Sequence, residues 1–301
     1  MRAIVFDRFG GPEVLRVAQM EPPRPGPGQV RLRVRAAGVN PLDHKIRDGA
    51  MQAVFPTSFP ATPGLEAAGV VDEVGPGVAG LAVGDEVLAL TDTGAYAEYA
   101  LATVAARKPA EIDWDEAAAL PVAGETAHRV LDLLAVGAGE TLLVHGAAGA
   151  VGSLAAQLGR ARGAVVVGTA SPRNHDYLRS LGVVPVTYGD GLVDRVREVA
   201  PQGVDAVLDA AGHGALPDSV ALREGTTDRI VTIADPDAAQ LGVTFSSGGR
   251  PTGELLAEIA RAAAAGLLRI TIAGRYPLDG ASTAQARSAT GHTRGKLVLR
   301  L

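Results

Sequence analysis

A glycine- and alanine-rich turn between an apolar run and a helical pattern is the feature of this chain best suited to chemistry. Residues 142–152 read LLVHGAAGAVG, and a small-residue helical pattern follows over 153–162. A strand that turns sharply into a helix presents unpaired N–H groups at the start of the helix, where a pyrophosphate can bind. Because Ala147 and Ala148 occupy the early part of the strict G-x-G-x-x-G spacing, a plain strand–turn–helix remains the alternative.

The small residues of the turn have separate roles in such a site. Gly146 permits the tight turn, and Gly149 and Ala150 leave room for the backbone to approach phosphate oxygens. Gly152 lets the helix pack closely on the sheet. The residues of the turn predicted to bind the cofactor are Gly146, Ala147, Gly149, Ala150, Val151 and Gly152.

The residues after the second predicted strand indicate which dinucleotide binds. NAD sites usually carry Asp or Glu about 20 residues past the glycine turn, on the ribose hydroxyls. Here no acid occurs before Asp176, whereas Ser171, Arg173 and Asn174 can donate hydrogen bonds to a 2′-phosphate, with the charge supplied by Arg173. A solvated arginine in a first helical turn is the alternative. The missing carboxylate favours NADPH.

The elements that must position these residues divide the chain into three parts. Residues 1–118 carry short β-prone runs between Gly and Pro turns, which predict a compact β-barrel-like domain. Over 119–246, strand and helix patterns alternate and predict a parallel, doubly wound nucleotide-binding sheet of the α/β class. Residues 247–301 are too short to fold alone and are predicted to complete the first domain.

The predicted elements follow from this periodicity. The predicted strands are 3–6, 30–36, 69–74, 86–90, 95–101, 141–145, 164–169, 183–186, 206–209, 229–233, 241–245, 269–273 and 296–301. The predicted helices are 125–134, 153–162, 173–180, 192–199, 216–222 and 252–265, with an acid-rich helix start at 113–119.

Composition excludes several classes of protein. The 301 residues are 47% hydrophobic, which is enough to bury a core, and the net charge of −5 argues against nucleic acid as a partner. The chain has no cysteine, which excludes disulfides and thiolate metal sites. The first eight residues lack the apolar core of a signal sequence, and no apolar run approaches the roughly 18 residues of a membrane helix. We therefore expect a cytoplasmic protein without a membrane partner.

Six stretches, spread over nearly the whole chain, resemble the medium-chain dehydrogenase/reductase family, specifically its zinc-free quinone oxidoreductase (zeta-crystallin-like) branch. Besides the glycine turn they are GVNPLD (38–43), PGLEAAG (63–69), VGDEV (83–87), LPVAGETA (120–127) and GHTRGKLVL (291–299). The resemblance implies a GroES-like barrel catalytic domain, a Rossmann domain, and a cleft in which NADPH delivers hydride. It also implies homodimers that pair the last strand of the nucleotide sheet, here near 243–245.

The resemblance also bears on metal binding. Zinc-using relatives place a cysteine where this chain has Asn40 and a histidine where it has Leu65, and they use a further thiolate. A catalytic zinc site needs three protein ligands, and Leu65 cannot be one. The six histidines show no paired spacing. We therefore expect no metal, and reduction of an electrophilic substrate rather than oxidation of a simple alcohol.

By the same resemblance, three residues lie at the reacting end. Asn40 is placed beside the nicotinamide and substrate, with a turn-opening Asn-Pro as the alternative. Lys45 takes a position where many quinone reductases carry tyrosine, and its ammonium could hydrogen-bond the substrate oxygen; a surface lysine in a loop is the alternative. Lys296 resembles another cleft position and is predicted to contact the cofactor, with a surface lysine again as the alternative. Asp43 and Glu66 are predicted to make structural hydrogen bonds in the barrel.

The resemblance assigns further cofactor contacts. These further predicted contacts are Thr126, Thr169, Tyr188, Ala211, Gly212, Ile233, Ala234 and Phe245. Four of them have an alternative role: a capping hydroxyl for Thr126, packing for Tyr188, a turn for Gly212, and a core or dimer contact for Phe245.

Two functions of different class follow from these expectations. The first is an NADPH-dependent reductase that passes hydride to a quinone or to an α,β-unsaturated carbonyl compound, a small apolar electrophile. The second is a crystallin-like protein that holds NADPH without turnover. If the protein is an enzyme, a tailoring reductase of a biosynthetic pathway is a further alternative.

Overall fold

A parallel sheet in the middle of the chain carries the glycine turn. The computed structural model describes residues 1–212 and 214–301. Contacts divide them into a first unit, residues 1–122 with 251–301, and a second unit, residues 123–250. The predicted boundaries were 118/119 and 246/247, so the chain enters and leaves the second unit four residues later than predicted.

The strands and helices are labelled in chain order. The strands are β1 (Arg2–Val5), β2 (Arg16–Gln19), β3 (Val30–Val39), β4 (Glu66–Val74), β5 (Glu86–Leu90), β6 (Tyr99–Ala102), β7 (Val104–Arg107), β8 (Thr141–His145), β9 (Val165–Thr169), β10 (Val184–Val186), β11 (Ala206–Asp209), β12 (Ile230–Thr232), β13 (Thr244–Phe245), β14 (Ile272–Pro277) and β15 (Lys296–Arg300). The helices are α1 (Pro41–Arg47), α2 (Trp114–Ala119), α3 (Pro121–Leu133), α4 (Ala150–Ala161), α5 (His175–Ser180), α6 (Leu192–Val199), α7 (Leu216–Leu222), α8 (Gly253–Ala264) and α9 (Ala281–Ala289).

The second unit is a doubly wound sheet in the order β10-β9-β8-β11-β12-β13, with every neighbouring pair parallel. The strand order reverses beside β8, whose five residues are all buried. A strand buried on both faces is apolar throughout, which explains the continuous run Leu142–Leu143–Val144. The parallel sheet predicted from the alternating pattern is confirmed.

The first unit contains a sheet in the order β14-β15-β3-β4-β5-β7, with β6 also paired to β3, and the hairpin β1-β2. The ten residues of β3 form its centre. The end of the chain joins this sheet, because β15 runs antiparallel to β3 with Leu297 opposite Val39. The core between the strands and α9 includes the buried Val34, Tyr96 and Leu299. This is the β-rich domain that the sequence predicted.

Two helices of the first unit were not predicted. Helix α1 begins directly after Asn40 with Pro41 at its first position, where a missing N–H costs nothing. Helix α9 is made largely of Ala, Ser and Thr and shows little apolar periodicity, so only its packing against α1 and β15 reveals it. Among the helices of residues 1–212 and 214–301, none is both long and apolar enough to cross a membrane.

Candidate functional site

Helix α4 opens with amides that have no partner inside the helix. Gly149 is its N-cap, and the first helical hydrogen bond runs from the N–H of Ser153 to the carbonyl of Gly149, at 2.9 Å. The N–H groups of Ala150, Val151 and Gly152 precede that bond and point out of the first turn. Together with the positive end of the helix dipole, they can bind a negatively charged pyrophosphate.

The turn that leads into α4 has no room for side chains. A Cβ on Gly152 would lie 2.3 Å from the carbonyl oxygen of Gly146, which is far inside van der Waals contact. Gly146 itself has φ of +70°, and a Cβ there would approach the carbonyl carbon of Ala210 to 3.3 Å. Backbone therefore packs directly on backbone. This cradle is the arrangement that a dinucleotide phosphate requires.

The end of β9 carries the residues predicted to read a 2′-phosphate. Asn174 Nδ2 donates to Ser171 Oγ over 3.3 Å. Arg173 is exposed, and its guanidinium makes neither a hydrogen bond nor an ion pair with the described residues. The nearest acid along the chain, Asp176, is engaged by Arg179 at 2.7 Å. The site therefore presents an unpaired cation, which suits a phosphate better than a ribose hydroxyl.

A buried aspartate that was not predicted organises the next two loops. Asp209 ends β11 and is fully buried; its Oδ1 accepts hydrogen bonds from the N–H groups of Ala211 and Gly212, at 2.9 and 3.0 Å. Its Oδ2 accepts from Thr232 Oγ1 at 2.7 Å. The Thr232 hydroxyl oxygen in turn accepts from the N–H of Ala234 at 3.1 Å. An acid at the end of an apolar strand, before Ala-Ala-Gly, is the signal that could have revealed it.

A buried histidine connects the glycine turn to its neighbours. His145 Nε2 lies 2.9 Å from Ser219 Oγ, and its Nδ1 lies 3.4 Å from Thr169 Oγ1, which accepts a hydrogen bond from the N–H of Gly146. Burial lowers the pKa of His145 below its usual value. The neutral ring therefore serves as a structural link and places no extra charge beside the turn.

The other predicted cofactor residues of the second unit lie mostly at the same edge of the sheet. Tyr188 follows β10 and is half exposed, Ile233 follows β12, and Phe245 in β13 is 43% exposed. Thr126 instead lies in α3, buried, with its hydroxyl donating to Glu125 Oε2 at 3.3 Å. The parallel strands thus bring the turn, the 2′-phosphate residues and the two loops to one edge, as open α/β sheets do at ligand sites.

The first unit contains a buried polar cluster around Asn40. Asn40 Nδ2 donates to Glu66 Oε1 at 2.8 Å, and Lys296 Nζ donates to Asn40 Oδ1 at 2.6 Å. Lys296 also forms an ion pair with Glu66 Oε1. Glu66 and Lys296 are only 0% and 2% exposed. The structure thus places Lys296 against Asn40 and Glu66, within the first unit.

Asp43 continues this cluster into the core. Its Oδ2 accepts from the N–H of Asn40 at 2.8 Å and from the hydroxyl of Tyr96 at 2.7 Å, while its Oδ1 is buried without a partner in the described part of the chain. Burial raises the pKa of Asp43 from 3.8 to about 7, against the opposing effect of these hydrogen bonds. The structural hydrogen bonds predicted for Asp43 and Glu66 are confirmed. Lys45 lies on α1, half-buried, without a side-chain bond to the described residues.

Two family models match the chain. Residues 26–109 match the alcohol dehydrogenase GroES-like domain, and residues 181–299 match the zinc-binding dehydrogenase model. Despite the second description, no three His, Cys, Asp or Glu side chains gather at a possible metal site in the part of the chain that the structure describes.

Curated relatives cover the chain to different extents. The quinone oxidoreductase of Lama guanicoe is 34% identical over 326 aligned positions, which cover 100% of this chain and 98% of that protein. The synaptic vesicle membrane protein VAT-1 homolog of Rattus norvegicus is 40% identical over 220 residues, 70% of this chain and 54% of the relative. The matched part of this chain thus spans about half the length of the VAT-1 homolog.

Solved structures share the fold over the whole chain. The quinone oxidoreductase from Coxiella burnetii superposes with a TM-score of 0.88 at 31% identity, covering 100% of this chain and 99% of that one. A native mycobacterial structure complexed with NADPH gives a TM-score of 0.86 at 30% identity, with both chains fully covered. An NAD-dependent alcohol dehydrogenase gives a TM-score of 0.86 at 29% identity, again with full coverage of both.

Proposed function

We propose that this chain, which belongs to the quinone oxidoreductase branch of the medium-chain dehydrogenase/reductase family, is an NADPH-dependent reductase of quinones and α,β-unsaturated carbonyl compounds that uses no zinc. The observation that carries the proposal is the cradle at the start of α4. There the amides of Ala150, Val151 and Gly152, which have no partner within the helix, lie behind a turn that a Cβ on Gly152 would block. Relatives and solved neighbours named quinone oxidoreductases support it.

The second unit would hold the cofactor. The cradle would take the pyrophosphate, and Arg173 with Ser171 and Asn174 would take the 2′-phosphate of the adenosine end. The unpaired guanidinium of Arg173 and the pairing of Asp176 with Arg179 favour the phosphorylated cofactor. When bound, NADPH supplies the hydride of the reaction.

The first unit would act on the substrate. When a quinone or enone accepts hydride, negative charge develops on its oxygen, and a nearby hydrogen-bond donor stabilises that charge. The amide of Asn40 and the ammonium of Lys45 are the donors that we assign to this oxygen. Water can supply the proton that completes the reduction. Zinc is not needed as a Lewis acid because the substrate is already electrophilic, and the zinc position held by Leu65 has no ligand atom.

The experiment is a steady-state assay of NADPH oxidation with a panel of quinones and conjugated aldehydes and ketones. We expect turnover with at least one of the two classes. Tight NADPH binding with no turnover across the panel would instead identify a non-catalytic, crystallin-like protein. Absence of binding to either dinucleotide would refute both assignments.

The cofactor preference is tested by Arg173→Ala. Loss of a charge-assisted contact worth about 1.5–3 kcal/mol should weaken NADPH binding by roughly 10- to 100-fold and leave NADH binding nearly unchanged. Fluorescence titration with each dinucleotide measures both constants. Arg197→Ala, which removes another exposed arginine of the same unit, is the matched control. Equal losses for NADPH and NADH would show that Arg173 does not contact the phosphate.

A further inference from the structure

We propose that Glu66 is a positioning residue, which holds the side-chain amide of Asn40 in one orientation for the reaction. This inference rests on the proposed function, in which Asn40 contacts the substrate. Glu66 itself is fully buried and acts only through the groups bonded to it.

Four of the stretches that carry the family resemblance meet at this one carboxylate. Asn40 and Lys296 bond to its Oε1, and the N–H of Val122 donates to its Oε2 at 2.7 Å. Gly38 makes the approach possible, because a Cβ there would lie 2.3 Å from Glu66 Oε1. Segments distant along the chain are therefore arranged around Glu66.

The hydrogen bonds leave the Asn40 amide a single orientation. Its Oδ1 accepts from the ammonium of Lys296, and its Nδ2 donates to the carboxylate of Glu66. A flipped amide would place its NH₂ group against the ammonium and its oxygen against the carboxylate, so both contacts would become repulsive. One N–H of Nδ2 and one lone pair of Oδ1 stay free of this pair of bonds and can serve a substrate.

Only a carboxylate fits this position. Both oxygens of Glu66 accept hydrogen bonds, from Asn40 and Lys296 on one side and from Val122 on the other. A glutamine has one acceptor oxygen, so its NH₂ group would face a donor on one of the two sides. A buried ion pair by itself adds little stability over an apolar pair, so stability alone does not account for Lys296 and Glu66.

The test compares Glu66→Gln with the double variant Glu66→Gln/Lys296→Met and the control Asp115→Asn. Asp115 is another buried carboxylate of the first unit, ion-paired to Arg275 and Arg300. The double variant removes both charges of the Glu66–Lys296 ion pair, so we expect it to recover stability and it serves alone if Glu66→Gln does not fold. We expect kcat to fall about 100-fold in both Glu66 variants, the loss typical of a misplaced reacting group, with the NADPH dissociation constant unchanged.

A second readout is independent of activity. The chain has only two asparagines, Asn40 and Asn174, so selective ¹⁵N labelling of asparagine yields two side-chain NH₂ groups with two proton signals each, to which the control Asp115→Asn adds a third group. In the wild type, the Asn40 proton bonded to Glu66 should be shifted downfield and exchange slowly. Both Glu66 variants should lose these features, while Asn174 remains an internal reference and Asp115→Asn leaves Asn40 unchanged.

Each outcome separates the positioning role from the proposed function. If the wild type turns over no substrate, the proposed function fails, and the amide signals still test whether Glu66 orients Asn40. Unchanged Asn40 signals in the Glu66 variants overturn the positioning role, and so does an unchanged kcat. Recovery of kcat together with stability in the double variant would also overturn it, since Glu66 would then act only on folding.

Discussion

At the scale of single residues, the first unit buries a carboxyl group that has lost most of its hydration. Asp43 is 1% exposed, and its Oδ1 has no hydrogen-bond partner among the residues that the structure describes. Burial raises the pKa of Asp43 to about 7, with the carboxylate of Glu66 adding to the effect and the ammonium of Lys296 opposing it. Asp43 therefore titrates near neutral pH in the folded protein, whereas it titrates near 3.8 in the unfolded chain.

This difference gives the stability of the first unit a defined pH dependence. Because the folded state binds the proton more tightly, the stability due to Asp43 is fully present below the unfolded pKa of 3.8 and is lost as the pH rises through about 7. Each unit of difference between the two pKa values corresponds to about 1.4 kcal/mol. Asp43→Asn mimics the protonated acid and should remove this slope.

We therefore expect Asp43→Asn to match the wild type near pH 4 and to be the more stable protein near pH 8. Urea unfolding followed by fluorescence measures this, because Trp114 is the only tryptophan and lies in the first unit. Asp279→Asn, at an exposed position, should keep the wild-type profile. A variant that is less stable than the wild type near pH 8 would contradict the assigned ionisation.

At the scale of elements, α4 and the turn before it act as one rigid piece. Gly152→Ala would place a Cβ 2.3 Å from the Gly146 carbonyl oxygen, and only a shift of the helix start can relieve that clash. Such a shift displaces the amides that would bind the pyrophosphate, so we expect NADPH binding to weaken by roughly 10- to 100-fold, and overpacking of this kind also lowers stability by about 1–3 kcal/mol.

The matched control for this substitution is Gly137→Ala, whose Cβ would meet only Glu140 Oε2, at 3.8 Å. Fluorescence titration with NADPH compares the two variants, and circular dichroism verifies that both are folded. Wild-type affinity in Gly152→Ala would show that the start of α4 is not the cofactor cradle.

The sequence predicted those elements whose own periodicity determines them. Helices α6 and α7 begin and end at the predicted residues, because each has an apolar face bounded by turn residues. The predicted strand 241–245 is reduced to Thr244–Phe245, because Leu241 and Gly242 instead close a turn after Pro236–Ala239. Helix α9 could not be predicted, since its amino-acid composition carries no amphipathic signal.

The sequence predicted those parts of the candidate site that depend on neighbouring residues along the chain. The glycine turn and the acid-free end of β9 depend on neighbouring residues in the chain, and both are visible in the sequence. The positions of Glu66 and Asp209 depend on strand pairing, which brings distant segments together. A lone acid in an apolar run shows that a partner exists without showing which group it is. The contacts of Lys296 with Asn40 and Glu66 were unpredictable for this reason.

At the scale of the whole molecule, the edge of the nucleotide sheet is the proposed dimer interface. In the described residues, β13 pairs only with β12, so its outer side presents unpaired backbone groups. Both of its residues, Thr244 and Phe245, are exposed. An exposed edge of this kind can continue into a second copy, and the two copies would then place Thr244 near a two-fold axis.

Thr244→Lys tests this interface without touching the proposed cofactor residues. Two lysines brought together across a two-fold axis repel each other, so the variant should be a monomer or should dimerise at least about tenfold more weakly than the wild type. Light scattering coupled to size-exclusion chromatography distinguishes the 30.6 kDa chain from its dimer. Thr226→Lys, at another exposed threonine of the same unit, should leave the wild-type mass unchanged. The NADPH affinity should be the same in the wild type and in both threonine variants. A monomeric wild type or a fully dimeric Thr244→Lys variant would exclude this edge as the interface.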